Sequence, residues 1–179
     1  MEGLCDHDKA VLTCIFNPHL PIVEAYQVRA TELKDDEEQN DLVLKTKKME
    51  MEAVERAEKG DLEFGLQLLT EAINIAPERP SLYNNRAGVF QYMRRFDEAL
   101  NDLSTAIKLC TDKHQKTTCR AHLQRGLLHR RADDMDQARR DFEVAAKMGS
   151  TLAKSQLIEI NPYAALCNQM LKQVMEKLN

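Results

Sequence analysis

The chain has 179 residues, of which 30% are charged, 43% hydrophobic and 5% aromatic, with no Trp, 6 Gly and 5 Pro. So few turn residues and aromatics disfavour a many-stranded β fold, and a single domain's length rich in Ala, Leu, Glu, Lys and Arg predicts a largely helical protein. The net charge of −4 divides unevenly: residues 1–44 hold ten acids against Lys9, Arg29 and Lys34, a net −7, which leaves +3 on the remainder.

The first residues are acidic and lack the basic-then-apolar order of a secretion signal. The longest apolar-looking stretch, Ala10 to Phe16, is far shorter than the ~20 residues a bilayer-spanning helix needs. Cys5, Cys14, Cys110, Cys119 and Cys167 are odd in number and scattered, without a Cys-x-x-Cys pair. They read as free thiols of a reducing compartment, so a cytoplasmic or nuclear place and no membrane partner are expected.

In chain order, Asp8 is placed to cap a short helix containing Val11, Leu12, Ile15 and Phe16, which Asn17-Pro18 would end. Leu20 to Val28 is apolar enough to dock. Thr31 to Asn40 is expected to be a mobile linker, too charged to pack. These pieces make an N-terminal extension over 1–45. The helical pattern resumes at Asp41 and runs into three copies of one unit, placed at 46–79, 80–113 and 119–152.

The copies are visible as internal alignment. Lys59 to Leu66 matches Met93 to Leu100 at an offset of 34 residues, with Ala53 on Ala87, Leu69 on Leu103 and Ala72 on Ala106. The third copy lies 39 residues further on, with Gly126 on Ala87, Met135 on Phe96, Ala138 on Ala99, Phe142 on Leu103 and Ala145 on Ala106. Small residues let paired helices approach closely, and a large apolar residue near each turn fills the groove between them. Such a unit resembles the tetratricopeptide repeat, which implies an all-α solenoid of three helix-turn-helix repeats. Glu52 and Arg56 depart from the pattern in the first repeat, where Gly65 also replaces the usual Ala. In the third, His122 and His129 stand where aromatic residues often pack.

Beyond the repeats, Ser150 is placed to N-cap a helix from Thr151 to about Glu159, and Asn161-Pro162 to open another. In that last helix Tyr163, Leu166, Cys167, Met170, Leu171, Val174 and Leu178 form one stripe. Residues 153–179 are thus expected as capping helices packed on the last repeat, with a dimer or partner contact as the alternative use of the stripe.

Several strings resemble the tetratricopeptide repeat protein 36 family more specifically. They are Ala10-Val11-Leu12 with Ile15-Phe16-Asn17-Pro18, Pro77-Glu78-Arg79 with Tyr83-Asn84-Asn85-Arg86-Ala87, Gly126-Leu127-Leu128 with Asp141-Phe142-Glu143, and Asn161-Pro162-Tyr163-Ala164-Ala165-Leu166-Cys167-Asn168. The resemblance implies a non-catalytic adaptor binding a heat shock protein 70-type chaperone. Alternatively, it implies a scaffold that binds and protects a metabolic enzyme, in tyrosine catabolism.

Within this family of folds the first helix of each repeat lines a concave groove. Chaperone-binding members hold peptide carboxylates with Lys and Asn from the first repeat, Asn from the second, and basic residues from the third. Here Asn85 and Arg120 keep that pattern, whereas Glu50, Val54 and Gln124 do not, so the standard carboxylate clamp is not the expected mode. The expected partner-binding residues are Asn85, Tyr92, Arg120, Gln124, Arg130 and Arg131. The basic stretch Lys113 to Arg140 reads either as a solvated face or as a site for acidic partners, for which the acidic arm would compete.

No Gly-rich phosphate loop, Gly-x-Ser-x-Gly or His-Glu-x-x-His is present, so catalysis is not expected. Cys119 with His122 and His129 lacks a fourth metal ligand, and Asp133-Asp134-x-Asp136 lacks the Gly and distant Glu of a calcium loop. No cofactor or metal is expected. The acidic net charge and a basic stretch without interleaved aromatics argue against nucleic acid.

Overall fold

The computed structural model describes residues 33–38, 40–161, 163 and 170. Among the described residues there are seven helices: α1 (Asp41–Glu58), α2 (Leu62–Ile75), α3 (Pro80–Tyr92), α4 (Phe96–Leu109), α5 (Gln115–Arg131), α6 (Met135–Lys147) and α7 (Thr151–Glu159). None is long and apolar enough to cross a membrane.

Four of the seven helices start where the adjoining sequence suits the free N–H groups. Asn40 Oδ1 accepts from the Val43 N–H at 2.8 Å, Asp134 Oδ1 from Gln137 at 3.1 Å, and Ser150 Oγ from Ala153 at 3.2 Å, so α1, α6 and α7 are side-chain capped. Helix α3 opens with Pro80, whose missing N–H costs nothing there. The three hairpin turns share one device. Gly60, Arg94 and Asp133, at equivalent places in the three pairs, have φ of 92°, 59° and 63°.

The pairs α1–α2, α3–α4 and α5–α6 are antiparallel hairpins, stacked so that α1, α3 and α5 lie side by side, with α2 packed on α3, α4 on α5 and α7 on α6. The repeated positions form the core. Ala53, Leu69, Ala72, Ala87, Ala99, Leu103, Ala106, Ala138, Phe142 and Ala145 are fully buried. Two glycines mark the closest approaches: a β-carbon on Gly65 would lie 2.9 Å from the Ala53 carbonyl oxygen, and one on Gly126 would lie 2.7 Å from the Phe142 ring. Glu52 and Arg56 fit the first repeat because both are exposed, Arg56 lying 4.8 Å over the Phe64 ring. Phe64 thus has a polar cover in place of an apolar one.

Inside the second and third hairpins the same ion pair recurs. Arg86 binds Asp102 with Nε–Oδ2 and Nη2–Oδ1 distances of 2.7 and 2.8 Å, and Arg125 binds Asp141 with 2.8 and 2.7 Å. Asp141 also meets His122 Nδ1 at 2.8 Å. The two unusual histidines of the third repeat therefore border a polar pair: His122 bonds to it, and His129 Nε2 lies 4.0 Å from Asp141 Oδ2.

One expectation is corrected. The stretch Thr31 to Asn40 is not a free linker, because its described residues 33–38 are bound along the repeats. The Asp36 N–H donates to the Lys113 carbonyl at 2.8 Å, and Asp35 forms an antiparallel bridge with His114. Its charges pack because each inward carboxylate meets a donor. Of the C-terminal stripe, Tyr163 and Met170 are described, 80% and 60% exposed, and its other positions lie outside the described residues. The Asp8-capped helix and the Leu20 to Val28 segment lie outside the described residues.

Candidate functional site

The face built from α1, α3 and α5 is polar, and its side chains cross from helix to helix. At one end Glu50 of α1 accepts from Asn85 Nδ2 of α3 at 2.6 Å and from Ser81 Oγ at 3.3 Å. Its other strong partner is Arg79, which precedes α3 and is only 5% exposed. Arg79 Nη2 donates to Glu50 Oε2 at 2.9 Å, and Nη1 donates to the buried Thr46 hydroxyl at 3.0 Å. Asn85 is therefore engaged by Glu50, the residue whose charge breaks the carboxylate-clamp pattern.

The same guanidinium reaches out of the helices to Glu37. Arg79 Nε and Nη2 donate to the two Glu37 oxygens at 3.0 Å each, a fork-to-fork arrangement that fixes the carboxylate plane. Lys47 Nζ adds a contact at 3.1 Å. Burial, the strongest single influence on Glu37, would raise its carboxyl, but Arg79 and Lys47 together hold it below the ordinary 4.5. Burial likewise acts to lower the Arg79 guanidinium, and Glu37 and Glu50 more than offset it.

Two residues earlier, Asp35 closes the start of α5. Its Oδ1 accepts from the Thr117 N–H at 3.0 Å and its Oδ2 from the Thr117 hydroxyl at 2.6 Å. His114, the residue before α5, gives no side-chain cap, so Asp35 supplies one from a distant part of the chain, where the helix dipole also favours an anion. Leu33 packs at the edge of the cluster formed by Cys119, Ala138, Phe142, Ala145 and Ala153. A cleft of about 370 Å³ between this strand-like segment and the helices is bordered by Lys47, Glu50, Arg79, Ser81 and Lys116.

The other end of the face is open. Tyr92, 74% exposed, stands with Gln124 and Arg131 around a cavity of about 540 Å³ floored by Gly88, Phe96 and Leu128. Gln91 Nε2 donates to Gln124 Oε1 at 3.1 Å, and Arg131 lies 4.2 Å over the Phe96 ring. Tyr92, Gln124 and Arg131 are thus brought together. Asn85 stands at the acidic end, and Arg120 is exposed on α5 without an ion pair to any described residue. Arg130 is directed to α7, where its Nη1 contacts Gln156 and meets Glu159 Oε2 at 2.7 Å. Sequence reasoning overlooked Arg79, Asp35, Glu37 and Thr117. Arg79 stands in a string used only for resemblance, and Asp35 and Glu37 stand in the stretch expected to be too charged to pack.

Burial pushes the Cys110 and Cys119 thiols up, which keeps them protonated and poorly nucleophilic. Among the described residues no three His, Cys, Asp or Glu side chains gather as a metal site.

No family model matches the chain. It is 43% identical over 178 residues to a Drosophila melanogaster protein named tetratricopeptide repeat protein 36 homolog, covering 98% of this chain and 96% of that one. Identity to tetratricopeptide repeat protein 36 of Danio rerio is 44% over 175 residues, covering 96% and 93%, and to that of Homo sapiens 40% over 179 residues, covering 96% and 94%. Among solved structures, the first tetratricopeptide domain of Spaghetti bound to the HSP90 peptide SRMEEVD superposes with a TM-score of 0.60 at 19% identity, covering 68% of this chain and 94% of that one. The second such domain of human RPAP3, in complex with the HSP70 peptide SGPTIEEVD, gives 0.56 at 21%, covering 66% and 97%. These likenesses establish the repeat fold, and the full-length identities establish the lineage: the chain belongs to the tetratricopeptide repeat protein 36 family.

Proposed function

We propose that this chain is a non-catalytic adaptor that holds an acidic segment of a protein partner on the face of α1, α3 and α5, and that the partner is a heat shock protein 70-type chaperone. The observation that carries the reading is the way this face already seats an acidic stretch. Carboxylates at Asp35 and Glu37 are each held by two or more donors from the helices. The solved neighbours named for bound HSP90 and HSP70 peptides, both ending in EEVD, support an acidic ligand class for the fold. The open cavity at Tyr92, Gln124 and Arg131 is placed to receive a side chain of the same partner, and exposed Arg120 to add charge. Because Glu50 consumes Asn85, the ligand is held by donors other than the clamp set.

The test is capture of a purified heat shock protein 70-type chaperone by the full chain, beside Arg120→Glu and Tyr92→Ala variants. Binding by the wild type and weaker binding by the variants is expected. No capture by the wild type would remove the chaperone from the reading. Enrichment from a cell extract of one metabolic enzyme without chaperones would replace it with the scaffold role. A cytoplasmic place of action belongs to the same proposal.

A further inference from the structure

Residues 33–38 lie on the helices as an extended peptide does, with a period of two. Leu33, Asp35 and Glu37 are half-buried, while Lys34, Asp36 and Glu38 are exposed. The inward set is an apolar residue followed by carboxylates two and four places later. Each has its own receptor on the repeats: the apolar cluster near Cys119 and Phe142 for Leu33, the first turn of α5 at Thr117 for Asp35, and the Arg79–Lys47 fork for Glu37. Arg79 is a built receptor and not a chance surface contact, being nearly buried and oriented by Thr46, Glu50 and Ser81.

The two peptides held by the similar structures carry the same spacing. In SRMEEVD it is Met, Glu and Asp, and in SGPTIEEVD it is Ile, Glu and Asp, at first, third and fifth places of the last five residues. In this chain the stretch is Leu33, Asp35 and Glu37.

We propose that Arg79, Lys47 and the first turn of α5 form a binding site for an extended peptide with an apolar residue followed by carboxylates two and four places on, and that residues 33–37 are its internal occupant. This rests on the reading that the face takes acidic segments, and it names the pattern and the competitor. Lys47 lies on α1, the first helix of the first repeat, whereas Arg79 lies outside the clamp positions altogether. A partner peptide must displace Glu37 to reach Arg79, so the chain's apparent affinity is reduced by the fraction of molecules in which the segment is seated. The ligand selected is one that offers at least as many correctly spaced carboxylates as the segment it replaces.

The experiment uses the full chain and two labelled peptides, one with the sequence of residues 33–38 and one SGPTIEEVD, followed by fluorescence anisotropy. In an Asp35→Asn/Glu37→Gln variant the internal occupant is weakened, and both peptides are expected to bind about tenfold more tightly than to the wild type. Adding Arg79→Gln to that variant should abolish the gain for both. Gain with the 33–38 peptide but none with SGPTIEEVD would keep the site and discard the chaperone tail as its ligand. Equal affinity of wild type and double variant for both peptides, in proteins with unchanged circular dichroism, would overturn the proposal. A measurement on the wild type avoids dependence on variant folding: a saturating excess of the 33–38 peptide should speed hydrogen exchange of the protein's own Asp36 amide, now bonded to Lys113. Slower or unchanged exchange with peptide bound would also overturn the proposal.

Discussion

The Arg125 guanidinium grips both oxygens of Asp141, and the grip is a copy, 39 residues on, of the one Arg86 has on Asp102. Asp141 is 3% exposed, and burial, the strongest influence on it, would raise its carboxyl; His122 and Arg125 nevertheless hold it below the ordinary 3.8. A carboxylate with a depressed folded value stabilises the protein fully above its unfolded value and loses that contribution as pH falls through the folded one. Asp141→Ala should therefore cost about 2 to 3 kcal/mol near neutral pH, since it leaves Arg125 and His122 without their acceptor. The cost should begin to shrink as pH falls below the ordinary 3.8, where the unfolded chain takes up the proton, and be lost only through the lower folded value. Urea unfolding at pH 7 and pH 3.5 reads both numbers.

Backbone strain predicts a gain. The first hairpin turn uses Gly60 at φ 92°, whereas Arg94 occupies the equivalent place at φ 59°. An Arg in the left-handed region pays a steric cost that Gly does not, and at a turn that saving exceeds the entropy Gly adds to the unfolded chain. Arg94→Gly is expected to raise stability by about 0.5 to 1 kcal/mol, seen as a higher midpoint in thermal unfolding. Asp133→Gly should gain less, because Asp tolerates that region better.

Gly126 and Phe142 fix the spacing of the third hairpin. A β-carbon on Gly126 would stand 2.7 Å from a ring that is fully buried. Gly126→Ala should thus destabilise by about 1 to 3 kcal/mol despite its better helix propensity. Pairing it with Phe142→Leu, the residue the second repeat has at that place, should cost less than the two single changes added together. A double-mutant cycle in denaturant measures the difference.

The order of what could be read from the chain follows the range of the interactions. The 34-residue offset is written in small residues that recur, so Ala53, Ala87 and Gly126 predicted the helix contacts, and Ser150 predicted a cap that the structure shows on Ala153. The Arg86–Asp102 and Arg125–Asp141 pairs were not read from the sequence, although aligned repeats put Arg on Arg and Asp on Asp; the first repeat has Glu52 and Leu68 there and no such pair. The seating of residues 33–38 was not legible. A run such as Asp35-Asp36-Glu37-Glu38 has the composition of disorder, and only the three-dimensional meeting of Arg79, Lys47 and Thr117 gives its alternate carboxylates partners. Arg130 has a partner that the repeat register does not show, Glu159 in the helix that follows the third repeat.

Arg79 holds together three parts of the chain, because Thr46, Glu50 and Glu37 all bond to it. Replacing it by Leu leaves Glu37 and Glu50 facing each other with only Lys47, Asn85 and Ser81 to satisfy them, at a cost of about 3 kcal/mol or more at pH 7. The pH dependence of that cost has a definite sign. In the wild type Glu37 sits below its ordinary 4.5, so its contribution is complete above that value and falls away as the solution becomes more acidic. In Arg79→Leu the burial remains while the main opposing charge is gone, which moves the Glu37 carboxyl upward and makes its protonation relieve strain. The gap between the two proteins should accordingly narrow as pH drops from 7 to 4. Paired unfolding curves at those two values test it, and a gap that stayed constant would mean that the Glu37 carboxylate does not depend on Arg79.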